Sequence, residues 1–253
     1  MRNTIIEELS KPKLKKAVLI EGLPGMGYVG KLAAEHIVEE LRAKKFAEMT
    51  SPYFPNQVMI DRDGLLRMPR NEFYLARHDG KSLVIWTGDV QPVLPEGHYE
   101  IVERVLGLVK KLDIKQLFTL GGYATGKYSN AQPKVVAMGD PALLRKASSH
   151  GAKAESKGGP IIGAAGLLLG LGNLSGISGI CLLGETHGML VDNRAAQAVL
   201  QVLAGILDIK INMDNLERRA RETEQIIERI SREMASREEK VKRREEEESW
   251  YIG

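Results

Sequence analysis

The final forty residues restrict what the rest of the chain must do. Charge dominates from Asp214 to Glu248, and residues 237 to 248 are charged at every position except Val241. Such a stretch has no face to bury, so it is either a solvated helix held by i,i+4 pairs or an unstructured segment. At 253 residues the chain still allows one large domain with a sizeable core besides such a segment. Asp214 with Glu217 three residues on reads as a capping box, which would start a helix. Leu216, Ala220, Thr223, Ile227, Ile230, Met234 and Val241 then follow the four-three alternation of a coiled-coil seam, broken by Arg237. A helix over residues 214–248 would span about 50 Å at 1.5 Å per residue. Its charged tip suits a stalk, whereas residues 214 to 234 also suit a helix lying on its own domain.

The stalk leads to Ser249-Trp250-Tyr251-Ile252-Gly253. Trp250 and Tyr251 are large amphipathic anchors of the kind that dominate binding hot spots. A nearby terminal carboxylate can be captured by a partner's backbone or a lysine. The expected organisation is a body over residues 1–213, a charged helical stalk over 214–248 and a partner-binding tail over 249–253.

Composition narrows the partners. The formal charge is +3, with ten Lys/Arg against twelve Asp/Glu in residues 214–253, which leaves +5 on the body. That excess is too small for nucleic acid to be the favoured partner, and no basic cluster is interleaved with aromatics. A lone cysteine, Cys181, excludes an internal disulfide and fits a reducing, cytoplasmic setting. Acidic residues directly follow the short N-terminal apolar patch, unlike a signal peptide. Residues 158–184 carry no charge but contain nine glycines and Pro160. They read as a buried Gly/Leu-rich helix, a turn and a buried strand, not as a membrane span.

Strand and helix patterns alternate along the body. Lys16–Glu21 predicts a strand, 27–41 a helix, 56–68 and 73–87 two hairpins, and Pro95–Lys111 a helix with Ile101, Val102, Val105, Leu106, Leu108 and Val109 inward. Gln116–Leu120 reads as a strand ending at Gly121-Gly122, 134–138 as a strand, and Pro141–Ala147 and Arg194–Leu207 as helices. This order implies an α/β fold with a mixed, mostly parallel sheet flanked by helices on both faces, plus a long C-terminal helix.

Three constellations could carry chemistry. Gly22-Leu-Pro-Gly25-Met-Gly27-Tyr-Val-Gly30 contains a formal G-x-G-x-x-G between strand and helix, with Glu48 near the place of a ribose-binding acid. Pro24 stiffens the loop, and Tyr28 stands where a P-loop needs lysine. A tight, closely packed turn is the plainer reading, in which Gly25→Ala lowers stability. Gly184-Glu185-Thr186-His187-Gly188 follows a buried strand and offers a Glu–His pair for acid–base work, but no nucleophile accompanies it. Gly121 to Gly126 could bind an anion or simply turn a strand end. The five histidines are scattered, so neither a metal nor a cofactor is expected. The enzymatic alternative is a nucleoside- or nucleotide-binding protein using the Gly22–Gly30 loop or Glu185 and His187.

The runs Leu19-Ile-Glu-Gly-Leu-Pro-Gly-Met-Gly-Tyr-Val-Gly30, Phe54-Pro-Asn-Gln57, Gly88-Asp-Val-Gln-Pro92, Thr119-Leu-Gly-Gly-Tyr123, Gly159-Pro-Ile-Ile-Gly-Ala-Ala-Gly166 and Leu183-Gly-Glu-Thr-His-Gly188 occur in order. Together, over residues 15 to 235, they resemble the archaeal branch of the proteasome assembly chaperone family. The resemblance implies a fold similar to purine nucleoside phosphorylases without their catalysis. It also implies homo-oligomers, and C-terminal tails that engage the 20S proteasome α ring through a hydrophobic–Tyr–any tripeptide. Trp250-Tyr251-Ile252 matches that tripeptide, and Gly253 displaces its carboxylate by one residue. A sibling protein of the same family is therefore the other expected partner. The body glycines carry over as fold determinants only.

Overall fold

The computed structural model describes residues 3–126, 131–155 and 158–223. The stalk beyond residue 223 and the tail Trp250, Tyr251, Ile252 and Gly253 lie outside them. The elements run β1 (Ile5–Glu8), β2 (Ala17–Glu21), a 3-10 turn (Met26–Tyr28), α1 (Val29–Glu40), β3 (Lys44–Thr50), β4 (Met59–Ile60), β5 (Leu66–Arg67), β6 (Asn71–His78) and β7 (Lys81–Gly88). They continue with α2 (Pro95–Lys111), β8 (Gln116–Ala124), β9 (Val135–Gly139), α3 (Pro141–Ser149), β10 (Lys153–Ala154), α4 (Ala164–Leu174), β11 (Ser178–Thr186) and α5 (Asn193–Leu207). A further helix covers residues 214–223.

Nine strands form one sheet in the order β1-β3-β6-β7-β2-β8-β11-β9-β10, and β4 and β5 form a separate hairpin. The centre, β7-β2-β8-β11, is parallel. The wing β1-β3-β6-β7 is antiparallel, and so is β9 on β11. Central strands are buried on both faces, which is why β2 reads Val18-Leu19-Ile20 with no polar alternation. Val18 and Ile20 enter one core with α1, α3 and α5, whereas Leu19 enters a second with α2 and α4. In that second core Phe73 stacks on Trp86 with ring centroids 6.0 Å apart.

The mixed sheet and its main helices follow the sequence reading closely. Three strands were not anticipated: β1, β3 and β10. β1 and β10 are short edge strands, and β3 carries three lysine or glutamate residues on its seven positions because it lies on the antiparallel wing. β8 also runs on through Gly121 and Gly122 to Ala124 instead of turning there. β11 pairs with it in register as far as Thr186, and that ladder holds the glycines extended.

The helix over residues 214–223 lies on the body. Leu216 is fully buried in the core shared with α1 and α5, and Ala220 is buried too. His36 Nε2 lies 2.6 Å from the Asn212 carbonyl oxygen, and Gln197 Nε2 donates to Glu217 Oε1 at 3.0 Å. The start of the seam is thus part of the core. Leu216→Ala should lower unfolding stability by about 2–5 kcal/mol in chemical denaturation. A loss under about 0.5 kcal/mol would mean that this helix packs only loosely.

Candidate functional site

All three glycine-rich constellations meet at one place, the C-terminal edge of the parallel strands. The backbone there packs on backbone. A side chain at Gly30 would collide with the Leu120 carbonyl, and one at Gly122 with the Met26 carbonyl. The loops are also tied together by hydrogen bonds. Asp192 N–H donates to the Gly27 carbonyl at 2.9 Å, and Thr125 N–H to the Thr186 carbonyl at 2.9 Å. Gln91 Nε2 donates to the Pro24 carbonyl at 2.7 Å while its Oε1 accepts from Ala164 N–H, fixing the start of α4. Residues the sequence presents as three alternatives form a single junction.

Part of the loop's donor set is already spent. A phosphate cradle needs free loop N–H groups, but Gly22 N–H is taken by the Trp86 carbonyl, Leu23 N–H by Glu21 Oε1 and Tyr28 N–H by the Gly25 carbonyl. Nor does Glu48 occupy a ribose position. It sits inside β3, three strands from β2, where it accepts from Lys45 and Arg70. A dinucleotide fold would place that acid at the end of the parallel strand next to β2. Glu185 and His187 are not hydrogen-bonded to each other, and His187 Nδ1 is buried without a partner. Among the described residues no group of three or more His, Cys, Asp or Glu side chains could hold a metal ion. No described helix is long and apolar enough to cross a membrane.

Gly25 proves different from expectation. A Cβ there would meet nothing within 4 Å, and its φ of −159° is ordinary extended backbone. The closely packed positions are Gly22, Gly30 and Gly122. Gly30→Ala should therefore lower the melting temperature by several degrees and Gly25→Ala should leave it nearly unchanged, as read by calorimetry. Equal effects would contradict the packing.

Beneath the junction lies a buried polar row that sequence reading missed. Register aligns Trp86, Glu21, Thr119 and Cys181 on four adjacent strands, all essentially inaccessible. Trp86 Nε1 and Glu21 Oε2 have no hydrogen-bond partner, and the Thr119 hydroxyl has the Cys181 thiol beside it. Burial pushes the Glu21 carboxyl up to about 8, only partly offset by the Leu23 N–H, and pushes the Cys181 thiol up to about 12. A glutamate ending a buried central strand was the available signal. Glu21 keeps its proton in the folded chain while the unfolded chain releases it, so stability is fully present below about pH 4.5. It should fall as pH rises to about 8, by on the order of a few kcal/mol. Glu21→Gln should flatten the profile of melting temperature against pH in that window. Parallel profiles would contradict the assignment.

The outer surface of the same edge is apolar. Of the eighteen exposed large apolar side chains among the described residues, fourteen belong to its loops and to the β4–β5 hairpin. One group is Met26, Tyr28, Tyr123, Met189, Leu190 and Val191, contributed by the three glycine-rich segments and the turn before α5. Tyr28 takes a left-handed φ of 55°, a strained choice for a tyrosine that the junction enforces. A surface this apolar is suited to gripping protein and offers little to a small polar substrate. The helix over residues 214–223 runs toward it, since Asn193 Nδ2 donates to Thr223 Oγ1 at 3.4 Å beside Val191.

Comparison with known proteins fits this picture. The sequence matches the PAC2 family over residues 19–231. It is 40% identical over 242 residues to an uncharacterized protein of Methanocaldococcus jannaschii, covering 95% of this chain and 93% of that one. The fold superimposes on Pyrococcus furiosus PbaB, described as an archaeal proteasome activator, with a TM-score of 0.86 and 40% identity over 91% of this chain and 100% of that one. It also superimposes on Pyrococcus furiosus PbaA, described as an archaeal homolog of proteasome-assembly chaperone. There the TM-score is 0.76 and the identity 27%, over 94% of this chain and 97% of that one.

Proposed function

This chain belongs to the PAC2 family, and from that membership we propose that it is an oligomeric, non-enzymatic chaperone or adaptor acting in the cytoplasm. Its partner is the 20S proteasome α ring or a sibling protein of the family, gripped by the C-terminal tails of several copies. The observation that carries this reading is the junction itself. The three segments that could have held chemistry use their glycines and N–H groups to pack on one another, and what they present outward is apolar. The descriptions of PbaB and PbaA as proteasome activator and assembly-chaperone homolog supply the partner class.

In this reading residues 214–248 are the stalk, rooted in the core through Leu216 and Ala220, and Trp250, Tyr251, Ile252 and Gly253 are the contact residues. A weak peptide repeated on several copies gains avidity of about 10²–10⁴-fold when its spacing matches the partner. A charged stalk has no apolar face to lay on the body, which suits it to presenting a tail to a partner.

Replacing Trp250 and Tyr251 by Ala should weaken binding to purified 20S proteasome or to a sibling protein by about 2 kcal/mol or more. Charge reversal at Glu245 or Glu246 should cost much less and vary with salt. Surface plasmon resonance reads both. Removal of Gly253 strengthens binding if the partner is a 20S proteasome with a pocket for a terminal tripeptide, and weakens it if the partner is shaped to the four-residue tail. A double alanine variant that binds as tightly as the parent would contradict the proposal.

A further inference from the structure

The hairpin formed by β4 and β5 stands outside the nine-stranded sheet. Its register pairs Met59 with Arg67 and Ile60 with Leu66. Period-two alternation then puts Val58, Ile60, Leu66 and Met68 on one face and Met59 and Arg67 on the other. The Arg67 face is fastened to the body. Arg67 Nη1 donates to Asp89 Oδ2 at 2.5 Å, Nη2 to Asp89 Oδ1 at 3.0 Å, and Nε to Asp61 Oδ1 at 2.8 Å. Burial favours the neutral acid at Asp89, but the Arg67 fork and the Arg70 N–H outweigh it and keep the carboxyl below its usual range. The opposite face is left to solvent, with Ile60 72% and Leu66 69% exposed. A two-stranded hairpin is at best marginally stable alone, and a continuous apolar face of this kind calls for cover.

Two observations point to a second copy as the cover. First, the same edge bears the unlike apolar surface of Met26, Tyr28, Tyr123 and Met189 to Val191. The strand order β6-β7-β2-β8 separates the hairpin from that surface by roughly 15 Å, at about 4.8 Å per strand. The Arg67–Asp89 fork fastens the hairpin at the end of β7, and both surfaces stay exposed within one chain, so a contact between them is one between chains. Unlike surfaces that meet head to tail close into a ring when the rotation permits. Second, the described chain ends at Thr223 against Asn193 on this same edge, and thirty residues follow. Copies joined along the edge bring the starts of those segments to one side, the arrangement that several tails need to reach one partner.

Building on the oligomeric reading above, we infer that the Val58/Ile60/Leu66/Met68 face of the hairpin docks on the Met26/Tyr28/Tyr123/Met189–Val191 surface of a second copy. Ile60→Asp with Leu66→Asp in the full chain tests it by native mass spectrometry at low micromolar concentration. Both positions are exposed and the Arg67 anchor is untouched, so the melting temperature should hold while the parent's oligomer shifts to monomer. As an independent readout, a Leu66→Cys chain is mixed under oxidising conditions with a Met189→Cys chain, Cys181 being buried and silent. A covalent dimer found only in the mixture supports the contact, and decides the matter should the double aspartate variant fold poorly. An oligomer unchanged by the aspartates would overturn the inference and leave the oligomeric reading standing. A Leu66→Cys chain that links only to itself would overturn the head-to-tail geometry. A parent that is monomeric at this concentration would remove the oligomeric reading itself.

Discussion

The structure depends on backbone packed against backbone where the parallel strands end. α1 approaches β8 so closely that Gly30 lies on the Leu120 carbonyl, and the 3-10 turn before it lies on Gly122. No side chain fits between them. That contact fixes the direction of α1 and the path of the Gly22–Gly30 loop, and it holds Tyr28 at a left-handed φ. The loop's Gly22, Leu23 and Tyr28 N–H groups are bonded within the chain, and the side chains it presents outward, Met26 and Tyr28, are exposed. The edge where many α/β proteins keep a ligand site is here closely packed backbone on backbone at Gly30 and Gly122.

Below the contact, the parallel centre tolerates an unusual row of polar groups. Glu21 and Trp86 each keep a buried polar atom without a partner. Orphaned groups of this kind cost stability, typically about 1–3 kcal/mol each. Glu21 limits its share by staying protonated, and its Oε1 accepts the Leu23 N–H that begins the glycine loop. The acid thus serves as a fixed post for the loop. Thr87 adds a second post by donating to the Gly22 carbonyl at 2.8 Å.

Much of this was legible in the sequence where one residue choice answers to one physical demand. Pro95 opens α2 and the inward face from Ile101 to Val109 is its buried face, because amphipathic spacing over seventeen residues leaves little room for another reading. The glycine runs announced a close approach but not what would approach, since the partners of Gly30 and Gly122 come from elements distant in the chain. Register was likewise hidden. Nothing local states that Trp86, Glu21, Thr119 and Cys181 share one row, or that β11 would hold Gly121 and Gly122 extended. The hairpin's turn at Asp61 to Gly64 was readable, and so in principle was its apolar face, because Val58 and Ile60 mirror Met68 and Leu66 across that turn. β3 escaped notice because its charges are satisfied on an antiparallel wing, with Lys45 bonded to Glu48 of its own strand and to Glu72 of β6.

The proposed function divides the labour between a body that acts as platform and a tail that makes the contact. Hydrogen–deuterium exchange on the full chain, alone and saturated with purified 20S proteasome or with a sibling PAC2-family protein, tests that division most directly. The account predicts new protection concentrated over Ser249 to Gly253, with the Gly22–Gly30 loop and the Glu185–Gly188 segment unchanged. Protection of those body segments with none at the tail, in both mixtures, would contradict it.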